Sequence, residues 1–170
     1  MNEIIKIALV EDEALLVEGF SSIFLNVENI LVVKTANNGL DFLNALEESS
    51  ESDFPDIVLV DIQMKPMDGF ELVEILREKY PNLKIIILSS DYKSNILGHM
   101  IKLGVSAFIP KNATKKLLIE AIESVYHSWV YFTQTDQEML AKYMSSRSKK
   151  VRFTSDDLLS KRENEILKLI

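Results

Sequence analysis

Short apolar runs alternate with helix-periodic segments through the first 130 residues, and this alternation constrains the fold more than any other feature. The β-type runs cover residues 4–10, 30–35, 57–60, 84–88 and 107–109. The helix-type segments cover residues 15–24, 39–48, 69–80, 92–103 and 114–126. Strict alternation requires crossover connections, which place helices on both faces of a parallel sheet. The sequence therefore predicts an α/β chain with a flavodoxin-like, doubly wound, five-stranded parallel sheet.

Polar side chains follow four of the predicted strands at the point where each strand ends. They are Glu11 and Asp12 after the first, Asp61 after the third, Ser89 after the fourth and Lys111 after the fifth. In the predicted architecture, ligands bind outside the carboxyl ends of the strands, where the strand order reverses between the first and third strands. Polar residues often follow strands, so each position alone is weak evidence. Their coincidence in three acids, a hydroxyl and a lysine indicates a site.

The residue types at this edge restrict its chemistry. The chain has no cysteine, and its two histidines are far apart in sequence, so a metal here would be bound by oxygen. Carboxylate oxygens suit Mg²⁺, with Glu11, Asp12 and Asp61 as ligands. With the metal and Lys111 screening charge, Asp61 is placed to act as a nucleophile on a phosphoryl group.

Charge is unevenly distributed along the chain. The net charge of −7 divides into −9 for residues 1–130 and +2 for residues 131–170. Because phosphate neutralisation needs clustered lysine and arginine, we expect DNA contact only from the C-terminal side. The start lacks a basic leader, and no apolar stretch reaches the length of a membrane span, so we expect a cytoplasmic protein without membrane association.

The alternation stops after residue 130. Residues 131–145 are predicted to hold an additional helix that begins at a capping box, Thr135 to Glu138, and the polar, basic residues 146–157 a linker. Residues 158–170 contain a second capping box before a last apolar-periodic segment. A lone helix of about ten residues is unstable in water. It either packs onto the first domain or belongs to a domain whose other helices lie beyond residue 170; we favour the second.

Residues 3 to about 128 resemble the receiver domains of bacterial two-component response regulators. The resemblance rests on the acidic pair, the segment from Asp61 to Gly69, the hydroxyl of Ser89 and Lys111, all in family order and spacing. The segment 158–170 resembles the opening of a LuxR-type helix-turn-helix DNA-binding domain of NarL/FixJ regulators, of which only the first helix would be present.

The resemblance implies a signalling receiver that catalyses only its own phosphoryl transfer and dephosphorylation. Asp61 would accept a phosphoryl group from a sensor histidine kinase, and Lys111 would pair with the phosphoryl oxygens. Ser89 would donate its hydroxyl and move toward the phosphoryl group, and Phe108 would report that movement to the outer face. Mg²⁺ would be held by Glu11, Asp12, Asp61 and the backbone carbonyl of Gln63.

The implied output is a homodimer that forms on phosphorylation and controls transcription, with DNA bound only through the full C-terminal domain. The dimer would use either the first and fifth helices or the fourth helix and fifth strand, and the sequence does not choose between them.

Three positions depart from the family pattern. The proline usual four residues after the acceptor aspartate is Lys65, with Pro66 one place later, so the loop there is expected to bend differently. Lys111 is followed by Asn112, so no cis peptide is expected after that lysine. The first acidic position is Glu11, which is longer than the frequent aspartate.

These departures leave a second hypothesis, a degenerate receiver that acts as a phosphate-independent interaction module. A metal-dependent phosphatase is disfavoured because the usual Asp-x-Asp motif is missing after the first strand. A flavin-binding flavodoxin is disfavoured because the loop after that strand is acidic.

Overall fold

The computed structural model describes residues 3–150 and residue 166. Its strands are β1 (Ile5–Val10), β2 (Ile30–Ala36), β3 (Ile57–Asp61), β4 (Lys84–Ser89) and β5 (Ala107–Pro110). Its helices are α1 (Ala14–Phe24), α2 (Gly39–Glu47), α3 (Gly69–Lys79), α4 (Ser94–Leu103), α5 (Lys115–Ser128) and α6 (Gln134–Lys150). Every element predicted in the first 130 residues is present, and its ends agree with the prediction to within two residues.

The five strands form one parallel sheet in the order β2-β1-β3-β4-β5. The predicted doubly wound architecture is therefore confirmed. The order reverses between β1 and β3, where Val10 pairs with Val60. On the next strand Leu88 pairs with Asp61, and Ser89 pairs with Pro110 of β5. This register brings the ends of β1, β3, β4 and β5 to one edge of the sheet.

Side chains alternate between the two faces of the sheet and form two buried layers, because successive residues of a strand point to opposite sides. The first core layer lies under α2, α3, α4 and α6 and includes Val60, Ile87, Phe108 and Leu140. The second core layer lies under α1 and α5 and includes Leu59 and Leu88. Strands β1, β3, β4 and β5 are buried on both faces, which explains their nearly continuous apolar sequences, whereas the edge strand β2 is largely half-buried or exposed.

The additional helix differs from its prediction at both ends. It begins at a different capping box: Thr133 Oγ1 accepts from the Asp136 amide at 3.1 Å, and Asp136 Oδ2 accepts from the Thr133 amide at 2.8 Å. The predicted box at Thr135 is therefore wrong by two residues. The helix also continues through Lys150, so the prediction of a linker from residue 146 is wrong for residues 146–150.

In the serine-rich part of α6, hydroxyls bond to the helix's own carbonyls, a local bond that does not favour a helix by itself. Ser145 donates to the carbonyl of Ala141 at 3.2 Å, and Ser146 donates to that of Tyr143 at 2.8 Å. Packing against α4 then stabilises a helix of low intrinsic preference.

Most of the predicted linker and DNA-binding segment lies outside the described residues. Ile166 is described: it is helical, 1% exposed and part of the first core layer. At this residue the chain contacts the first domain, and the choice between the two alternatives for residues 158–170 stays a prediction. No helix among residues 3–150 and 166 is long and apolar enough to cross a membrane.

Candidate functional site

The carboxyl edge of the sheet gathers three carboxylates. Glu11 follows β1, Asp61 ends β3, and both are buried, with 2% and 3% of their surface exposed. Asp12 is exposed beside them. Carboxylate oxygens of the three residues lie within 4.8 Å of one another. The structure thus brings together the three acids that the sequence predicted to share one site.

Lys111 supplies positive charge to this group. Its Nζ lies 2.8 Å from Glu11 Oε2 and 3.1 Å from Asp61 Oδ1. Its backbone amide donates to the carbonyl of Ser89 at 2.9 Å, which fixes the loop after β5 against the end of β4. Three carboxylates and one ammonium leave a formal charge of −2.

The pKa values reflect this crowding. Burial raises the pKa of Glu11, and the nearby charge of Asp61 raises it further, against the lowering effects of Lys111 and the Glu13 amide. For Lys111, burial alone would lower the pKa, but the close contacts with the Glu11 and Asp61 carboxylates outweigh burial and raise it. The Lys111 ammonium therefore stays charged, and it offsets part of the cost of burying the Glu11 carboxylate.

The donor set fits a hard divalent cation. Glu11 Oε2 is buried and forms an ion pair with Lys111, yet no well-directed hydrogen bond reaches it from the described residues. Glu11 Oε1 accepts from the Glu13 amide at 3.2 Å. A buried carboxylate oxygen without a directed donor is costly, and a cation with oxygen ligands would satisfy it. The acidic group therefore has both the net negative charge and the carboxylate oxygens for such an ion.

The loop between β3 and α3 is folded tightly against Asp61. Gly69 donates to the carbonyl of Ile62 at 2.8 Å, and a Cβ at Gly69 would lie 2.6 Å from the carbonyl oxygen of Asp61. Only glycine fits that approach. Asp68 then caps α3 by accepting from the Glu71 amide at 2.9 Å.

Within this loop the Gln63 amide donates to Asp61 Oδ1 at 3.3 Å. Participation of the Gln63 carbonyl as a metal ligand stays a prediction. The Lys65–Pro66 peptide is cis and both residues are exposed, while the peptides on either side of Lys111 are trans, as expected.

Ser89 is buried at the end of β4, and its hydroxyl forms a closed turn with Asp91. It donates to the Asp91 carbonyl at 3.0 Å and accepts from the Asp91 amide at 3.0 Å. The hydroxyl predicted to serve the phosphoryl group is thus at the site edge and is bonded to the loop that leads into α4.

Phe108 is fully buried, and its ring packs on that of Tyr92 with centroids 5.3 Å apart. The Tyr92 hydroxyl donates to Asp136 Oδ1 of α6. Sequence reasoning missed Tyr92 and Asp136. The spacing Thr133-x-x-Asp136 is a capping-box signal that could have marked Asp136, but no local pattern indicates its tyrosine partner.

Comparisons with known proteins agree with this geometry. Residues 7–123 match the family model of the response regulator receiver domain. The chain is 33% identical to the response regulator protein VraR of Staphylococcus saprophyticus, over 98% of this chain and 75% of that protein. It is also 33% identical to the oxygen regulatory protein NreC of Staphylococcus epidermidis, over 97% of this chain and 76% of that protein.

Among solved structures, a LuxR-family two-component response regulator from Aurantimonas sp. SI85-9A1 has the same fold, with a TM-score of 0.75 at 20% identity. The superposition covers 84% of this chain and 99% of that one. With the family model matched over most of the sheet and these relatives aligned over nearly its whole length, the chain belongs to the response regulators of the NarL/LuxR type and carries their receiver domain.

Proposed function

We propose that Asp61 accepts a phosphoryl group from the phosphohistidine of a sensor histidine kinase and that this modification switches the protein. The observation that carries the proposal is the Lys111 ammonium, which contacts Glu11 and Asp61 at once where three carboxylates converge. A surface cluster of acids would not require a lysine with only 11% of its side chain exposed. A phosphoryl acceptor requires a cation fixed beside the nucleophile, because negative charge accumulates there during transfer.

In the proposed transfer, an oxygen of Asp61 forms a bond to phosphorus while the bond from phosphorus to the imidazole nitrogen breaks. The electron pair of that bond stays on the imidazole. Both recorded contacts of the Asp61 carboxylate, from Lys111 and from the Gln63 amide, involve Oδ1. This leaves Oδ2 as the attacking atom, with Oδ1 held in place. Hydrolysis of the resulting acyl phosphate by water would return the carboxylate.

We further propose that Glu11, Asp12, Asp61 and the backbone carbonyl of Gln63 hold Mg²⁺. Bound there, the ion would supply positive charge to the transferring phosphoryl group. Its charge equals the formal −2 that the carboxylates and Lys111 leave uncompensated. Glu11 is longer than the frequent aspartate, yet its carboxylate belongs to the acidic group, and its Oε2 lacks a directed hydrogen bond from the described residues. We therefore keep Glu11 among the proposed Mg²⁺ ligands.

Phosphorylation by acetyl phosphate with Mg²⁺ tests the proposal, with intact mass and phosphate-affinity electrophoresis as readouts. Asp61→Asn should abolish the modified species. Asp56→Asn is the matched control, because Asp56 lies at the opposite end of β3, where its carboxylate accepts the Lys6 amide at 2.8 Å. A wild-type chain that stays unmodified, or an Asp61→Asn chain that is modified equally well, would disprove the assignment.

The degenerate-receiver hypothesis makes the opposite prediction for Mg²⁺. A receiver that works without phosphate has no need to bind the ion, so titration at millimolar Mg²⁺ would show no saturable signal. The assembled Glu11–Lys111–Asp61 arrangement favours the phosphoacceptor, because a degenerate site has no reason to keep a half-buried lysine between two buried acids.

For the output, we propose a homodimer that forms on phosphorylation through α1 and α5, and transcriptional control through a LuxR-type C-terminal domain. The alternative face contains α4, and α6 covers that helix: a Cβ at Gly98 would meet the Tyr143 ring at 2.3 Å. By contrast, Leu15 on α1 and Leu25 directly after it are 79% and 82% exposed. The α1 surface is therefore available to a second copy while α6 remains in place.

A further inference from the structure

The additional helix α6 is held on the receiver domain at two places. Along its length, Leu140 is fully buried in the first core layer, and Tyr143 lies directly on Gly98 of α4. At its first turn, Asp136 is 1% exposed and accepts from the Thr133 amide at 2.8 Å. The start of α6 therefore depends on one buried carboxylate.

That carboxylate also accepts a hydrogen bond from the Tyr92 hydroxyl. Tyr92 belongs to the loop between β4 and α4, whereas Asp136 lies 44 residues further along the chain. A hydrogen bond to a charged or buried carboxylate is stronger than one between neutral exposed groups. The Tyr92 hydroxyl is consequently a substantial part of what fixes the first turn of α6.

Tyr92 is next in sequence to Asp91, the residue that the Ser89 hydroxyl holds. A serine hydroxyl carries one proton and donates one hydrogen bond. If Ser89 donates to a phosphoryl oxygen on Asp61, it must give up its bond to the Asp91 carbonyl. The loop then loses one of the bonds that hold it immediately before Tyr92, although the hydroxyl can still accept from the Asp91 amide.

A shift of the loop between β4 and α4 cannot leave both contacts of the Tyr92 side chain unchanged. The Tyr92 ring packs on the buried ring of Phe108, with centroids 5.3 Å apart and an interplanar angle of 30°. A shift of the loop therefore moves the ring against Phe108, moves the hydroxyl away from Asp136, or does both. Hydrogen bonds weaken steeply with small changes in distance and angle, so the bond to Asp136 is the contact that fails first.

We propose that the Tyr92–Asp136 hydrogen bond transmits the state of Asp61 to α6, and that phosphorylation breaks this bond and loosens the first turn of α6 from the receiver domain. This inference rests on the proposed function, because it needs Asp61 to be the phosphoryl acceptor. It assigns Tyr92 as a positioning residue that acts through Asp136. It also gives the additional helix a role, namely to carry the signal away from the sheet edge toward the C-terminal segment.

Hydrogen exchange of α6 in the 170-residue chain tests the proposal, with beryllium fluoride and Mg²⁺ as the phosphoryl mimic. The amide of Gln137, which donates to the Thr133 carbonyl at 3.0 Å, reports the first turn. Fluorine NMR on the same samples reports fluoroberyllate bound at Asp61, with Asp61→Asn as the blank. In the wild type the mimic should speed exchange at this turn about tenfold, the effect of losing one hydrogen bond to a carboxylate.

Tyr92→Phe removes the hydroxyl and keeps the ring. Its first turn should exchange about tenfold faster than the wild type without the mimic, and the mimic should add little, while fluoroberyllate still binds. Tyr131→Phe is the matched control: its hydroxyl also meets a carboxylate, Glu120 at 3.5 Å, but outside this path. It should behave as the wild type.

The two hypotheses fail differently. If fluoroberyllate binds the wild type and exchange of the first turn does not change, the transmission proposal is wrong while the phosphoacceptor site stands. The same conclusion follows if Tyr92→Phe retains the full tenfold response. If no fluoroberyllate binds, the proposed function itself is overturned, and the transmission proposal with it.

Discussion

A pair of glycine-to-alanine substitutions measures how tightly α6 is packed on α4. Gly98 and Gly19 both lie within helices, so alanine brings the same gain in helix propensity at each, about 1 kcal/mol. They differ in the space around the new methyl group. A Cβ at Gly19 would meet nothing within 4 Å, whereas a Cβ at Gly98 would lie 2.3, 2.5 and 2.6 Å from ring carbons of Tyr143.

The overlap at Gly98 sets the size of the expected effect. Normal carbon contacts lie at about 3.5 to 4 Å, so the ring must move by more than an ångström. Cγ is among the overlapping atoms, and flipping the ring about χ2 does not move Cγ. Overpacking of this kind costs about 1–3 kcal/mol. We therefore expect Gly19→Ala to stabilise the chain by about 1 kcal/mol and Gly98→Ala to be neutral or to destabilise it by up to about 2 kcal/mol.

Urea denaturation followed by circular dichroism measures both changes, with equal m-values required for the comparison. In a Tyr143→Ala background the overlap is removed, so Gly98→Ala should become stabilising by about 1 kcal/mol, as Gly19→Ala is. If Gly98→Ala already stabilises the unmodified chain as much as Gly19→Ala does, then α6 does not pack on α4 as described and the reasoning is refuted.

Three further outcomes are expected. Lys111→Met should lower the free energy of unfolding by about 3–5 kcal/mol, because it leaves two buried carboxylates unpaired. Millimolar Mg²⁺ should restore part of this stability. Urea titrations that show no loss of stability would contradict the prediction. Burial raises the pKa of Asp136 to about 7, well above its unfolded value. Its contribution is therefore complete below about pH 4 and is lost as the pH rises toward 7, by at most about 4 kcal/mol, and Asp136→Asn should flatten this part of the stability profile. In sedimentation with beryllium fluoride, Leu15→Asp on α1 should weaken the dimer while Leu40→Asp on α2, also exposed, should not; equal effects would rule out the α1 face.

The sheet and its site were predictable because each rests on a local signal. Four consecutive apolar residues before Asp61 indicate a strand buried on both faces, and the polar residue that ends such a strand must lie at its carboxyl edge. The same logic placed Glu11 and Lys111 without knowledge of their contacts. Gly104 was predictable as a helix end because a glycine directly after a helix-periodic segment is a common C-terminal cap. The structure has it there, with a φ of 89° that favours glycine.

The start of α6 was not predictable, because two capping boxes overlap there. Thr135 and Glu138 fit the pattern as well as Thr133 and Asp136 do. What decides between them is Tyr92, whose hydroxyl meets Asp136 in the buried position, and that partner lies far away in sequence. The extension of α6 was missed for the same reason: its stability comes from α4, and composition alone indicates a linker.

The two groups of buried carboxylates are compensated in different ways, and the difference matches the roles proposed for them. Glu11 and Asp61 share the Lys111 ammonium, which fixes them for chemistry that needs a constant geometry. Asp136 has only neutral donors among its recorded contacts within the described residues, the Thr133 amide and the Tyr92 hydroxyl. Its raised pKa shows that burial disfavours its charge, so near neutral pH the cost of burying that charge already opposes the attachment of α6.

An element that must change state has to be held by only a few kcal/mol, since a ligand shifts an equilibrium by no more than the difference between its interaction free energies with the two states. A carboxylate paired with a lysine at this position would hold α6 too firmly for the loss of one hydrogen bond to release it.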